Sequence, residues 1–202
     1  MLAIIQAAGW PIYLIIFASV IGVAIILERS FSLRRSQVLP DGLLALTVQE
    51  YKQSGVTADM LTRLQSNSPL GRVFAAGMKN VKSSRDIMKE SIEEAGRAVA
   101  HDLEKFLTTL GTIATAAPLL GLFGTVVGMI ELFGAQAPSG GANPAALAHG
   151  ISVALYNTAF GIVVAIPALV FYRHFRGSVD SFIVEMEQQA IKLVEVVHGE
   201  RG

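Results

Sequence analysis

The amino-acid sequence predicts an all-α integral membrane protein with three transmembrane helices, of which helices 2 and 3 extend into a cytoplasmic helical bundle. Three observations predict it. The chain is 52% hydrophobic and 16% charged, with a mean hydropathy of +0.52, whereas soluble domains carry roughly 25% charged residues. The charges are also unevenly placed. Met1–Leu27, Phe106–Ile130 and Leu132–Tyr172 contain no Asp, Glu, Lys or Arg, and each run exceeds the ~20 residues with which an apolar helix crosses ~30 Å of hydrocarbon. The polar segments between and after these runs repeat their apolar residues at helical spacing, and nothing in them alternates as a strand does.

Taken in order, residues 1–27 form the first span. It has no basic leading region and ends in Leu27-Glu28-Arg29, not in a small-residue cleavage site, so it reads as a retained helix and not as a removed signal peptide. Trp10 and Pro11 fit an interfacial anchor where it begins. Residues 28–105 form a cytoplasmic insert. Asp41–Lys52 and Pro69–Val81 read as short helices, with QSGVTADM and SNSP as punctuation. Ser83 and Asp86 stand three apart as a capping box and open a helix that meets no proline until Pro118. Ile87, Ala95, Val99, Leu103 and Phe106 share one face of it. The expectation is that this helix starts about twenty residues before the bilayer, roughly 30 Å at 1.5 Å per residue, and enters it unbroken as span 2. Span 2 covers 106–133 and a connection covers 134–147, where Pro138–Pro144 (PSGGANP) places a turn. Span 3 covers 148–172. The tail, 173–202, carries Phe175, Val179, Phe182, Met186, Ala190, Leu193 and Val197 as one apolar stripe.

Basic residues set the orientation. Arg29, Arg34 and Arg35 follow span 1, Lys105 precedes span 2, and Arg173 and Arg176 follow span 3, while the 131–150 connection has no Lys or Arg. The positive-inside rule then places the N-terminus outside and the insert and C-terminal tail in the cytoplasm. Net charge is zero and cysteine is absent, which argues against nucleic-acid binding, disulfides and thiolate metal ligation. His101, His174 and His198 sit among cytoplasmic charges, His149 lies just before span 3, and Glu28 and Glu131 end spans 1 and 2. Glu93 and Arg97 make an ordinary i, i+4 pair. No nucleophile–base pairing, metal-ligand spacing or phosphate-cradling loop stands out, so neither an enzyme nor a cofactor is expected.

Inside the spans the informative residues are small or polar. Gly150, Ala154, Thr158, Gly161, Ala165 and Ala168 fall within about 40° of one line at 100° per residue. Gly121, Thr125 and Gly128 make a shorter strip on span 2, flanked by Gly124. Such faces let membrane helices approach closely. Thr125 and Thr158, taken alone, read first as packing residues that bond their own i−4 carbonyls. Asn157 differs, because an amide in hydrocarbon must be paired or wet; it marks an interhelical bond or a hydrated cavity. Pro118 and Pro167 are expected to bend their helices.

Two stretches carry a resemblance. APLLGLFGTVVGMI, Ala117–Ile130, resembles the second-span signature of the MotA/TolQ/ExbB proton-channel family, and ISVALYNTAFGIVVAIPA, Ile151–Ala168, resembles its third-span signature. The three-span plan is similar to the ExbB/TolQ branch. The resemblance implies an inner-membrane subunit in a homo-oligomeric ring, typically a pentamer, held in lipid around single-span partners of ExbD or TolR type. An aspartate on that partner would carry protons, and a TonB- or TolA-like protein would receive the work. Thr125 and Thr158 fall on the family's lumen-facing threonines and so become ion-path residues on that ground, with Asn157 beside them. One position departs: where the family usually has a glutamate at the start of span 3, this chain has Val153, so the titrating group must come from the partner helix. The expected function is that of an ExbB-like motor subunit serving TonB-dependent outer-membrane transport. A TolQ-like subunit serving envelope integrity, and a structural scaffold without conduction, are the alternatives. A self-sufficient channel is disfavoured, because no carboxylate lies deep within a span.

Overall fold

The computed structural model describes residues 8–136 and 144–199, so Met1–Ala7 and the turn expected at 137–143 lie outside the described residues. All regular structure among the described residues is helical: α1 (Pro11–Ser32), α2 (Arg35–Val38), α3 (Leu43–Ser54), α4 (Ala58–Asn67), α5 (Pro69–Lys79), α6 (Arg85–Glu104), α7 (Leu107–Gln136) and α8 (Pro144–Val197). Among the described residues three stretches are long and apolar enough to cross a membrane: Pro11–Ser32, Arg85–Gly134 and Leu147–Val197. The chain divides into two compact units, Met1–Glu28 with Phe106–His174, and Arg29–Lys105 with Phe175–Gly202.

The first unit holds the apolar helices. α1 begins at Pro11, and Ala8, Gly9 and Trp10 form a turn before it. Proline suits a first helical turn, since its missing N–H would be unpaired there anyway. α1 meets α7 where Gly22 lies against Ile113, and α7 meets α8 where Gly111 lies against the ring of Tyr172. Pro118 and Pro167 sit inside α7 and α8. Each lacks an N–H, so the carbonyls of Ala114 and Val163 lose their usual donors four residues on.

The second unit is built from local caps and one long stripe. Thr57 accepts from the Met60 N–H at 3.2 Å and opens α4. This helix lies where QSGVTADM and SNSP were read as punctuation: Thr57-Ala58-Asp59-Met60 is a cap and first turn, not a loop. Ser68 caps α5 through the Gly71 N–H, with Pro69 at the first helical position. Ser84, one residue after the expected Ser83, caps α6 through the Ile87 N–H. α5 packs against α4 and α6. On α6 the buried residues are Met88, Val99 and Leu103, whereas Ile87 and Phe106 are exposed. The buried line therefore runs one residue out of phase with the expected one at its start. On the tail half of α8, Phe175, Val179, Phe182, Met186, Ala190 and Leu193 are all buried.

The expectation of an unbroken second helix fails at one point. α6 ends at Glu104, and Phe106 takes φ +65° before α7 starts at Leu107. A left-handed non-glycine residue costs roughly 1–2 kcal/mol, and it removes the N–H that Leu103 would have met in a continuous helix. Arg29, 5% exposed, supplies a donor instead: its Nη1 donates to the Leu103 carbonyl at 3.4 Å. A cation at a helix C-terminus also complements the carbonyl dipoles there. Helical periodicity runs through the junction in the sequence, so nothing local announced the break.

Ion pairs tie the second unit's helices together. Arg35 donates to both carboxylate oxygens of Glu185 at 2.6 and 2.7 Å, Arg72 pairs with Asp102 at 2.7 Å, and Arg176 pairs with Glu104 at 2.9 Å. The bond from Arg35 holds the Glu185 carboxyl below the usual carboxylate range, with partial burial opposing it, and the bond from Arg72 does the same for Asp102. Both carboxyls therefore lose their protons more readily folded than unfolded. Their contribution is complete above the ordinary carboxylate pKa, about 4, and is lost as pH falls through the depressed folded value. Melting of the purified chain should weaken across that acid window, and Glu185→Gln should melt lower near neutrality and show a shallower acid dependence. Coincident pH profiles for Glu185→Gln and the wild type would show that the Arg35 pair adds nothing.

Candidate functional site

Within the first unit, α7 and α8 approach closely because glycine and alanine occupy their facing positions. A Cβ at Gly161 would stand 2.5 Å from the Ala117 carbonyl oxygen and 3.1 Å from the Gly121 Cα. One at Gly121 would stand 2.7 Å from the Asn157 carbonyl oxygen and 2.9 Å from the Thr158 Cα. Real Cβ atoms do not sit this near backbone, so only glycine permits this spacing. Gly128 lies 3.2 Å from the Ala154 Cβ by the same measure. Ala154, Ala165 and Ala168 are buried. Near the start of α8, Gly150 lies against the Leu132 side chain.

The close approach brings two hydroxyls together. Thr125 Oγ1 and Thr158 Oγ1 lie 2.5 Å apart, one on each helix. Thr125 Oγ1 also lies 3.1 Å from its own i−4 carbonyl at Gly121 and 3.4 Å from the Ala154 carbonyl. Both residues are half-buried. Hydroxyls can donate and accept at once, so the pair can pass a hydrogen bond along but cannot hold charge near neutral pH. Asn157 is next to Thr158 in sequence but not in role. It is 1% exposed, its Nδ2 donates to the Ala8 carbonyl at 2.8 Å, and its side chain lies over Gly124.

No other chemistry gathers here. Among the described residues no group of three or more His, Asp or Glu could hold a metal. His101, His149 and His174 are exposed, and His198 lies with Nδ1 3.1 Å from the Val194 carbonyl. Glu131 is exposed, and Val153, at the position where a glutamate would be expected, is half-buried. Ala8 and Trp10 are the site-adjacent residues that sequence reasoning missed as partners. Trp10 packs edge-on against Phe123 at 5.8 Å; read only as an interfacial anchor, it gave no signal of which helix it would meet.

Three long apolar helices among the described residues, two of them joined along a glycine seam that carries a neutral hydroxyl pair, define a polytopic α-helical membrane protein. The comparisons agree. A family model described as the MotA/TolQ/ExbB proton channel family matches residues 65–188, and the chain belongs to that family. Biopolymer transport protein exbB1 of Vibrio cholerae is 31% identical over 168 residues, covering 80% of this chain and 71% of that protein. A biopolymer transport ExbB homolog of Methanothermobacter thermautotrophicus is 29% identical over 187 residues, covering 92% of this chain and 66% of its own length. Tol-Pal system protein TolQ of Pseudomonas aeruginosa is 28% identical over 200 residues, covering 91% of this chain and 84% of that protein.

The seam makes a direct prediction. Gly161→Ala places a methyl against the Ala117 carbonyl and should cost about 1–3 kcal/mol through overpacking, and Gly161→Leu should prevent stable membrane accumulation. Val163→Leu, on the exposed side, should stay within about 0.5 kcal/mol of wild type. The measurement is thermal melting of the detergent-solubilised chain with its steady-state membrane level. Equal melting of Gly161→Ala and Val163→Leu would contradict the close approach.

Proposed function

We propose that the chain is an ExbB-like subunit of an inner-membrane proton-channel motor that couples the proton gradient to TonB-dependent outer-membrane transport. The observation that carries this reading is the Thr125–Thr158 hydroxyl pair, 2.5 Å apart across the seam, in apolar runs 106–130 and 132–172 that contain no carboxylate. A path lined only by neutral groups can orient water and offer hydrogen bonds, but it cannot capture a proton. The titrating group then belongs to a partner: an ExbD- or TolR-like single-span helix with a membrane-buried aspartate, enclosed by a ring of five copies of this chain. Basic residues after spans 1 and 3 favour a periplasmic N-terminus, with the second unit and the C-terminus in the cytoplasm. The TolQ relative, aligned along 91% of this chain, favours a second reading in which the same motor drives a TolA-like protein and serves envelope integrity.

Thr158→Val exchanges a hydroxyl for a methyl at nearly constant volume, so the ring and the membrane level of the protein should persist. Gradient-driven work should fall at least about tenfold, the worth of one transition-specific hydrogen bond. Thr158→Ser keeps the hydroxyl and should retain more activity than Thr158→Val. A pure scaffold predicts the reverse order, because Ser loses a packed methyl. The measurement is substrate uptake and detergent sensitivity, side by side, in cells carrying each variant at equal abundance. Loss of uptake alone identifies the TonB-type system, and loss of detergent resistance alone identifies the Tol-type system. Full activity of Thr158→Val in both assays removes Thr158 from the path.

Topology has its own test, since the chain contains no native cysteine. His149→Cys should react with an impermeant thiol reagent in intact cells whose outer membrane has been opened. Ser83→Cys should react only after the inner membrane is permeabilised. Equal labelling of both would overturn the orientation.

A further inference from the structure

The turn before α1 is held against the membrane unit by two contacts, and one of them is unusual for a membrane interior. Asn157 is 1% exposed and donates from Nδ2 to the Ala8 carbonyl at 2.8 Å, while its Oδ1 is buried with no hydrogen-bond partner among the described residues. The second contact is Trp10 against Phe123, ring centroids 5.8 Å apart at 73°. Two glycines make the arrangement possible. Gly9 takes φ +77°, which turns the chain so that the Ala8 carbonyl faces inward. Gly124 leaves the seat in which the amide lies: a Cβ there would stand 2.7 Å from both Asn157 Cβ and Cγ and 3.0 Å from Nδ2.

We propose that Ala8–Trp10 is a releasable strap and that Asn157 is the positioning residue that fastens it. The chemistry selects asparagine. The Ala8 carbonyl takes a donor, which the amide supplies without a charge that burial would penalise, and among the described residues the amide oxygen meets no donor. Among the described residues one hydrogen bond is made and one buried acceptor is left without a partner, so gain and cost nearly cancel. The strap is therefore held closely but weakly. Release frees the amide of Asn157 beside Thr158, the residue whose hydroxyl pairs with Thr125. The strap thus gives the segment before α1 a means of changing the hydrogen-bonding surroundings of that pair. The fastening itself does not depend on the proton-path reading: it can hold or fail whether or not Thr158 conducts.

Trp10 is the only tryptophan in the chain, so its intrinsic fluorescence reports the strap in the full-length protein reconstituted in lipid. Asn157→Ala should shift the fastened-to-released balance about tenfold, seen as a red-shifted emission and stronger quenching by aqueous acrylamide. Asn157→Leu should do the same, since it keeps the approximate shape and loses the donor. Gly124→Ala should also release the strap while leaving Asn157 intact. Tyr156→Phe, next to Asn157 but exposed, should behave as wild type. A second measurement guards against variants that fail to fold. With no native cysteine present, Trp10→Cys with Phe123→Cys in an otherwise unaltered chain should join through a short bis-thiol linker within one chain, and adding Asn157→Leu should reduce the yield several-fold. Absence of the cross-link in the otherwise unaltered chain, or wild-type quenching in folded Asn157→Ala, Asn157→Leu and Gly124→Ala, would overturn the proposal.

Discussion

The contact of α7 with α8 is the constraint from which the membrane unit follows. Hydrocarbon offers helices no hydrophobic reason to associate, because a lipid tail is as apolar as leucine. What remains is dispersion at close range and hydrogen bonds that cannot be made to water. Gly121 and Gly161 bring the two backbones together so far that a single added methyl at either would meet the opposite main chain. Dispersion contacts are individually worth ~0.1–0.2 kcal/mol and decay steeply with separation, so their sum depends on this approach. The Thr125–Thr158 pair and the seat of Asn157 over Gly124 exist only because the seam is that narrow.

The second unit obeys different physics. Its core is an apolar stripe on the tail of α8, with Met60, Leu70, Phe74, Met78 and Met88 among its other fully buried side chains, and water supplies the driving force. Ion pairs add fixed distances more than energy, since exposed pairs contribute roughly 0–1 kcal/mol each. Arg29 is the exception. Its burial at 5% exposure against the last turn of α6 makes it part of how the chain tolerates a left-handed Phe106. A guanidinium can be buried this way because its several donors reach carbonyls that a broken helix leaves open.

Membership of a proton channel family gives the neutrality of the spans its meaning. A carboxylate within a span is expensive and marks ion relays, and this chain carries Val153 where such a group would be expected. On the proposed reading the hydroxyl pair lines the path and does not carry the proton. Asn157, adjacent in sequence, spends its donor on the Ala8 carbonyl. Two neighbouring polar residues on one helix thus point to separate tasks, one along the seam and one on the segment before α1.

Much of this was legible in the sequence. Long uncharged runs and the threes-and-fours spacing of Phe175 to Leu193 follow from solvent alone, because hydrocarbon and water each impose a period that a single helix must obey. The glycine and alanine line from Ala154 to Ala168 was legible for the same reason: small residues at helical spacing have few other uses in lipid. The break at Phe106 was not, because no glycine or proline marks it and helical periodicity runs through it. The helix Ala58–Asn67 was missed, since Thr57 caps a helix with the same residue types that elsewhere make a loop. The partner of Asn157 was decided only by tertiary structure. A sequence shows that a buried amide needs a donor or an acceptor, but which carbonyl it finds, here 149 residues away at Ala8, depends on how closely two other helices have already packed.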